Sequence, residues 1–216
     1  MPWWFNFAAV VSIRVKICGI TNTADAVAAV DAGAHALGFM FFPNSKRNVP
    51  LEVAREIIRE LPPFVAKVGV FVNAEEEFVR SAIDASGIDT LQFHGEESAE
   101  FCAKFSLKVI KAFRIRDRDS LSECLNYQNH AWLLDSYVEG VQGGTGVAFN
   151  WDIAMEATKF SRMVVLAGGL KVETVADAVR KVRPFAVDVS SGVESAPGKK
   201  DHAKVRDFIA AARSAA

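Results

Sequence analysis

The sequence predicts an α/β chain folded as a single-domain (β/α)8 TIM barrel, on three observations. Short apolar runs alternate with helical patterns eight times along 216 residues. Several runs are apolar throughout rather than alternating, as in Val68-Gly69-Val70-Phe71-Val72, which is how strands covered on both faces read. Polar and special residues collect just after the runs, where a barrel carries its chemistry. Eight units leave about 27 residues each, near the compact limit of that fold. An open doubly wound sheet shares the alternation, but eight units without a strong G-x-G-x-x-G turn favour closure.

The expected strands are 13–17, 36–42, 66–72, 90–93, 108–113, 131–134, 163–167 and 185–189. Thr21 or Asn22 caps a first helix carrying Ala26, Val27 and Val30, and Gly33 stops it. Pro50 opens a second, with Val53, Ala54, Ile57 and Ile58 on one stripe and Pro62-Pro63 at its end. A fifth is expected near 118–125 and a sixth from Trp151-Asp152. Val172, Val175, Ala176 and Val179 line a seventh, stopped before Pro184. Asp201 precedes the last, where Val205, Phe208, Ile209 and Ala212 share one side. With no linker or low-complexity tract, residues 13–216 are expected to form one catalytic barrel domain. Residues 1–12, with Trp3, Trp4, Phe5 and Phe7, are expected to be an apolar N-terminal appendage. They fall short of the ~20 apolar residues that span a bilayer. They also lack the basic start and cleavage site of a secretory signal. A membrane-peripheral anchor is the alternative, although no Lys or Arg accompanies the aromatics.

Half of the residues are hydrophobic and the formal net charge is −1, so no basic field exists to hold nucleic acid or an anionic membrane. Cys18, Cys102 and Cys124 are odd in number and far apart, which argues against a disulfide framework and for a reducing, cytoplasmic setting. His35, His94, His130 and His202 are scattered, and no Cys or His pair has zinc-ligand spacing; no metal is expected.

The strand ends, in order, carry Cys18, the loop 42–47 with Arg47, Asn73, His94-Gly95-Glu96, Arg114, Asp135, Gly168-Gly169 and Asp188 to Gly192. Free cysteine is often a core residue, and Cys102 and Cys124 read that way. Cys18 differs in ending a strand just before a helix start, where peptide N–H groups favour a thiolate able to act as nucleophile or base. Asp135 reads as a salt-bridge partner or helix cap, or as a partly buried carboxyl kept protonated as a general acid. A base and an acid projecting into one mouth from roughly opposite strands favour the catalytic pairing. Gly168-Gly169 and Ser190-Ser191-Gly192 are each ordinary tight connections taken alone. Together, after the seventh and eighth strands, they match a barrel phosphate site. Arg47 is either a solvated arginine or a bidentate clamp on a substrate carboxylate. The segment 137–150 holds Gly140, Gly143, Gly144 and Gly146, is too long for an ordinary βα connection, and fits a mobile cover. It lacks a Walker ending, which excludes nucleotide hydrolysis.

From about Arg14 to about Ile209 the chain resembles the phosphoribosylanthranilate isomerases of tryptophan biosynthesis. The resemblance rests on Val15-Lys16-Ile17-Cys18-Gly19-Ile20-Thr21, Phe42-Pro43-Asn44-Ser45-Lys46-Arg47, Leu91-Gln92-Phe93-His94-Gly95 and Gly143-Gly144-Thr145-Gly146. It rests equally on Val187-Asp188-Val189-Ser190-Ser191-Gly192-Val193-Glu194 leading to Pro197-Gly198-Lys199-Lys200-Asp201. The resemblance implies a cofactor-free Amadori rearrangement of N-(5-phosphoribosyl)anthranilate to 1-(2-carboxyphenylamino)-1-deoxyribulose 5-phosphate. It implies Asp135 as general acid and Cys18 as general base. Arg47, His94 and Asp188 become substrate-binding residues, with Gly168, Gly169, Ser190, Ser191 and Gly192 around the phosphate. The chain departs from the family at Val147, Ala148 and Asn150, where a lysine, a threonine and an aspartate are common, and at Asn48, where an aromatic residue is common. Two other functions compete. An aldose-ketose isomerase of histidine biosynthesis would look to paired aspartates. A noncatalytic sugar-phosphate sensor would fit the altered cover loop, but Cys18 and Asp135 are both retained. Monomer and homodimer are both compatible with the sequence.

Overall fold

Strand β1 (Arg14–Cys18) pairs in parallel with both β2 (Ala36–Met40) and β8 (Ala186–Val189), and that double pairing closes the sheet. Between them run β3 (Ala66–Phe71), β4 (Thr90–Phe93), β5 (Lys108–Ile115), β6 (Ala131–Ser136) and β7 (Val164–Leu166), all parallel and in sequence order. This computed structural model describes residues 13–127, 131–136, 151–161 and 163–216. The open doubly wound alternative is thereby excluded. The proposed appendage at 1–12, the expected cover at 137–150 and His130 lie outside the described residues.

Local chemistry places the helices. Asn22 caps α1 (Thr23–Asp31), its side-chain oxygen accepting from Asp25 N at 2.9 Å. Pro50 precedes α2 (Leu51–Arg59). Helix α3 (Glu76–Ser86) ends at left-handed Gly87. Helices α4 (Ala99–Cys102) and α5 (Leu121–Cys124) are single turns, and α6 (Trp151–Ala157) starts where Trp151 was expected to open it. Helix α7 (Val172–Val182) stops before Pro184. Asp201 caps α8 (His202–Ser214), accepting from the Ala203 and Lys204 amides.

Side chains alternate between two environments along each strand. One set packs outward under the helices in the main core, with Ile17, Leu37, Phe39, Phe71, Phe93 and Trp132 fully buried. The other fills the barrel axis in two smaller clusters: Ala112, Leu133, Val165, Ala167 and Ala186, then Cys18, Val68 and Val70. The axial set also contains polar residues that the apolar-run reading passed over. Lys16 on β1 and Gln92 on β4 are both buried.

One element was not anticipated. After β8 a 3₁₀ turn (Ser191–Val193) leads into a hairpin of β9 (Glu194–Ala196) and β10 (Lys199–Lys200). It brings Glu194 and buried Lys200 over the seam between the first and last strands.

Candidate active site

A cavity of about 800 Å³ opens at the carboxyl ends of the strands. Its walls include Cys18, Arg47, His94, Arg114, Asp135 and Asp188, and also Gly168, Gly169, Ser190, Ser191 and Gly192. These residues line one chamber although they come from seven strands or the loops behind them. The size suits a single organic ligand of moderate mass.

On one side stands β6. Asp135 is buried there, with its Oδ2 3.3 Å from His94 Nε2. The other ring nitrogen of His94, Nδ1, lies 3.0 Å from Gln92 Nε2. An amide nitrogen can only donate, so Nδ1 accepts and the imidazole proton sits on Nε2, facing the carboxyl group. Gln92 Oε1 is buried without a hydrogen-bond partner among the described residues.

Across the chamber stands β1. Cys18 is buried, and burial pushes its thiol pKa above the ordinary value, with Asp188 adding to the rise and Lys16 opposing it. This corrects the expectation that peptide N–H groups favour the thiolate. The amides of Gly19 and Ile20 both donate to Gly38 O at 2.9 Å, and α1 begins farther on, behind its own Asn22 cap. The cation beside the sulfur is instead Lys16. Its Nζ donates to Asp188 Oδ1 at 2.8 Å inside the barrel. Burial works against that ammonium, yet Asp188 and Cys18 together hold its pKa above the ordinary lysine value. The signal for Lys16 was available: it stands two residues before Cys18, so the period of a strand sends both side chains to the same face. Cys102 and Cys124 behave as packing residues, their thiols pushed up by burial to about 11 and about 12.

The remaining wall holds the glycine-rich ends of β7 and β8. Gly168 and Gly169 adopt φ of 75° and 69°, a left-handed pair that side-chain-bearing residues rarely sustain. The turn carries the chain directly into the N-terminus of α7. Ser190 Oγ is buried without a partner among the described residues. Peptide groups, a free hydroxyl and a helix start on one wall make a receptor for an anion.

Arg47 is neither a solvated arginine nor an unattached clamp. Its Nε and Nη2 donate to the two carboxylate oxygens of Glu194 at 2.8 and 2.7 Å. Glu194 also accepts from Lys200 Nζ at 2.9 Å, and these two cations hold its carboxyl below the ordinary range although burial pushes the other way. Glu194 is thus a structural anchor that sequence reasoning noticed only as part of a motif. Among the described residues no cluster of His, Cys, Asp or Glu could hold a metal ion. No helix among them is long and apolar enough to cross a membrane.

Comparison with known proteins supports this architecture. Residues 15–211 match the family model of N-(5′-phosphoribosyl)anthranilate (PRA) isomerase. An N-(5′-phosphoribosyl)anthranilate isomerase from Pelobacter propionicus is 53% identical over 201 residues, covering 93% of this chain and 96% of that protein. A phosphoribosyl anthranilate isomerase solved with reduced 1-(o-carboxyphenylamino)-1-deoxyribulose 5-phosphate superposes with a TM-score of 0.86 at 45% identity, covering 94% of this chain and 99% of the other. Monomers generated from the dimeric enzyme of Thermotoga maritima superpose with a TM-score of 0.85 at 43% identity, with the same coverage. The match spans nearly the whole chain, and the chain belongs to the N-(5′-phosphoribosyl)anthranilate isomerase family.

Proposed function

We propose that this chain converts N-(5′-phosphoribosyl)anthranilate to 1-(2-carboxyphenylamino)-1-deoxyribulose 5-phosphate by general acid-base catalysis, with no cofactor. The observation that carries the reading is the shared chamber: a carboxyl group and a thiol face it from β6 and β1, and its third wall is built for an anion. The relative solved with a reduced product analogue is consistent with a ligand of that shape and charge.

The substrate phosphate occupies the wall formed by Gly168, Gly169, Ser190, Ser191 and Gly192. Binding there, remote from the reacting carbons, orients the sugar across the chamber. Asp135 protonates the ribose ring oxygen and the ring opens to an iminium. His94 Nε2–H faces the resulting carboxylate and stabilises it. The iminium nitrogen draws electrons from C1′ and C2′, so the proton on C2′ is acidic enough for a thiolate. Cys18 takes that proton, and the enolamine tautomerises to the ketone. Arg47 meets the anthranilate carboxylate with the donors that Glu194 leaves open, since a guanidinium has five and Glu194 engages two. Arg114, on β5 beside Asp135, adds a positive group on the Asp135 side of the chamber.

Loss of the fluorescent substrate, generated in situ, measures turnover. Cys18→Ala and Asp135→Asn are each expected to lower kcat by about 10²–10⁴-fold with KM nearly unchanged. Native-level turnover in either variant overturns the role given to that residue.

We place the reaction in the cytoplasm, as the three free cysteines favour. We also place it in a homodimer, the state from which the Thermotoga maritima monomers were generated. Phe64 suits that state, being wholly exposed at a left-handed φ of 70°. Light scattering on Phe64→Ser would give monomer if this side chain holds the pair.

A further inference from the structure

A general base must lack a proton when its substrate arrives, and burial alone keeps the Cys18 thiol protonated. The groups facing the sulfur are Lys16 on its own strand, Asp188 on β8, Lys200 on β10 and Arg47 in the loop after β2. Asp135 and His94 look into the same chamber from the far side. Lys200 and Arg47 are both tied to Glu194. Lys16 is held by one carboxylate among the described residues, Asp188, and its side chain leaves β1 on the same face as that of Cys18. The closeness has a structural cause. A Cβ at Gly38 would lie 2.7 Å from Cys18 Sγ and 3.1 Å from Lys16 Nζ, so the bare glycine on β2 is what leaves both atoms their room. A buried ion pair is poor value for stability compared with apolar packing of the same volume. A lysine kept at the barrel axis, on the same strand face as the one cysteine that lines the chamber, points to chemistry.

We propose that Lys16 is the positioning residue of the Cys18 base. Its ammonium rests on Asp188 in the open site and is shared with the sulfur once the thiol has lost its proton. In the first step the S–H bond breaks, the electron pair stays on sulfur and the proton passes to water in the open mouth. Lys16 keeps all its protons. In the second step the sulfur pair forms a bond to the C2′ proton. The C2′–H electrons become the C1′–C2′ double bond and cancel the iminium charge. Sulfur then returns to the neutral thiol, and Lys16 returns to Asp188. The proposal rests on Cys18 acting as the base, and it assigns Lys16 no contact with substrate.

The test is the pH dependence of Cys18 alkylation by iodoacetamide in the full chain, followed by mass spectrometry of the Cys18 peptide. Lys16→Met is expected to move the midpoint upward by about one pH unit or more, because the neighbouring cation is gone. Asp188→Asn is expected to move it downward, because the competing anion is gone and the ammonium is free for sulfur. Lys16→Arg, which keeps the charge, is expected to restore the midpoint most of the way. In parallel, kcat of Lys16→Met is expected to fall at least about tenfold, with KM within a small factor of native. Superimposable titrations of native chain and Lys16→Met overturn the proposal. Should Lys16→Met fail to fold around an unpaired Asp188, the sign of the Asp188→Asn shift decides: an unmoved or higher midpoint overturns it. Turnover surviving in Cys18→Ala would remove the base assignment, and the role proposed for Lys16 with it, whatever the titrations give.

Discussion

The chemistry of single residues here is set by what each can reach. Gly38 leaves room beside it for the thiol of Cys18 and the ammonium of Lys16, and adding one methyl group there pushes into both. Gly38→Ala is therefore expected to lower turnover by about 10²-fold, the scale of a small misplacement of a reacting group. Thermal melting should show the barrel still folded, since the far end of the lysine can yield. Turnover within a factor of about two of native would show that the sulfur tolerates displacement, against the sensitivity expected. Cys18 and Asp135 were legible in the sequence because each ends an apolar run. Lys16 was overlooked because it sits inside one, where a charge reads as an interruption. Glu194 was beyond reach for a different reason: its partner Arg47 lies 147 positions away, and no local pattern encodes that meeting.

Whole elements were easier to read than their neighbours' contacts. All eight strands fall where apolar runs placed them, but β2 leaves the ladder at Met40 rather than Phe42, and β5 runs on to Ile115. Phe41 still donates to Val70 O, so the β2 backbone keeps its bonding after its regular geometry ends. The β9–β10 hairpin had a signal in Pro197-Gly198, a turn-forming pair, which was read only as part of a motif. The loop after β4 depends on a buried pair that no periodicity announces. Lys111 on β5 donates to Gly95 O at 2.6 Å and to Glu97 Oε2 at 3.1 Å, while Glu97 also accepts from the Asn73 and Gly95 amides. These bonds fix the segment that follows His94. Lys111→Met is expected to destabilise the fold by about 3–5 kcal/mol, because Glu97 is left buried without its cation. Urea unfolding measures this. Adding Glu97→Gln should recover part of the loss, and a double variant as unstable as the sum of the singles would deny the coupling.

The molecule as a whole carries its pH response in a few groups near the barrel seam and base. Burial would raise Asp25, but the Lys200 amide and the side chains of His202 and Asn22 outweigh it, and the carboxyl is held below its ordinary value. Glu194 is lowered as described. Such carboxylates stabilise the fold above their unfolded values near pH 4, and that stability is lost as pH falls through the folded values. His35 is lowered by burial, then by Arg213 and Arg14, and its Nδ1 accepts from Val15 N at 3.2 Å. Its contribution is present above about pH 6.5 and is lost as pH falls toward its lower folded value. Urea midpoints should therefore hold between pH 7 and 8, decline gently below about 6.5 and drop steeply below about 4. His35→Gln should remove the gentle decline, and midpoints rising from pH 7 to 5 would contradict the scheme. The seam has a further consequence for synthesis. Lys16 and Asp188 are 172 positions apart, and Thr21 meets Gly198 across 177. A chain emerging from the ribosome exposes its first lysine long before the counter-ion exists, so a seven-unit intermediate stays hydrated along that edge. The last strand of the barrel, β8, neutralises its axis and brings the final wall of the reaction chamber in the same event.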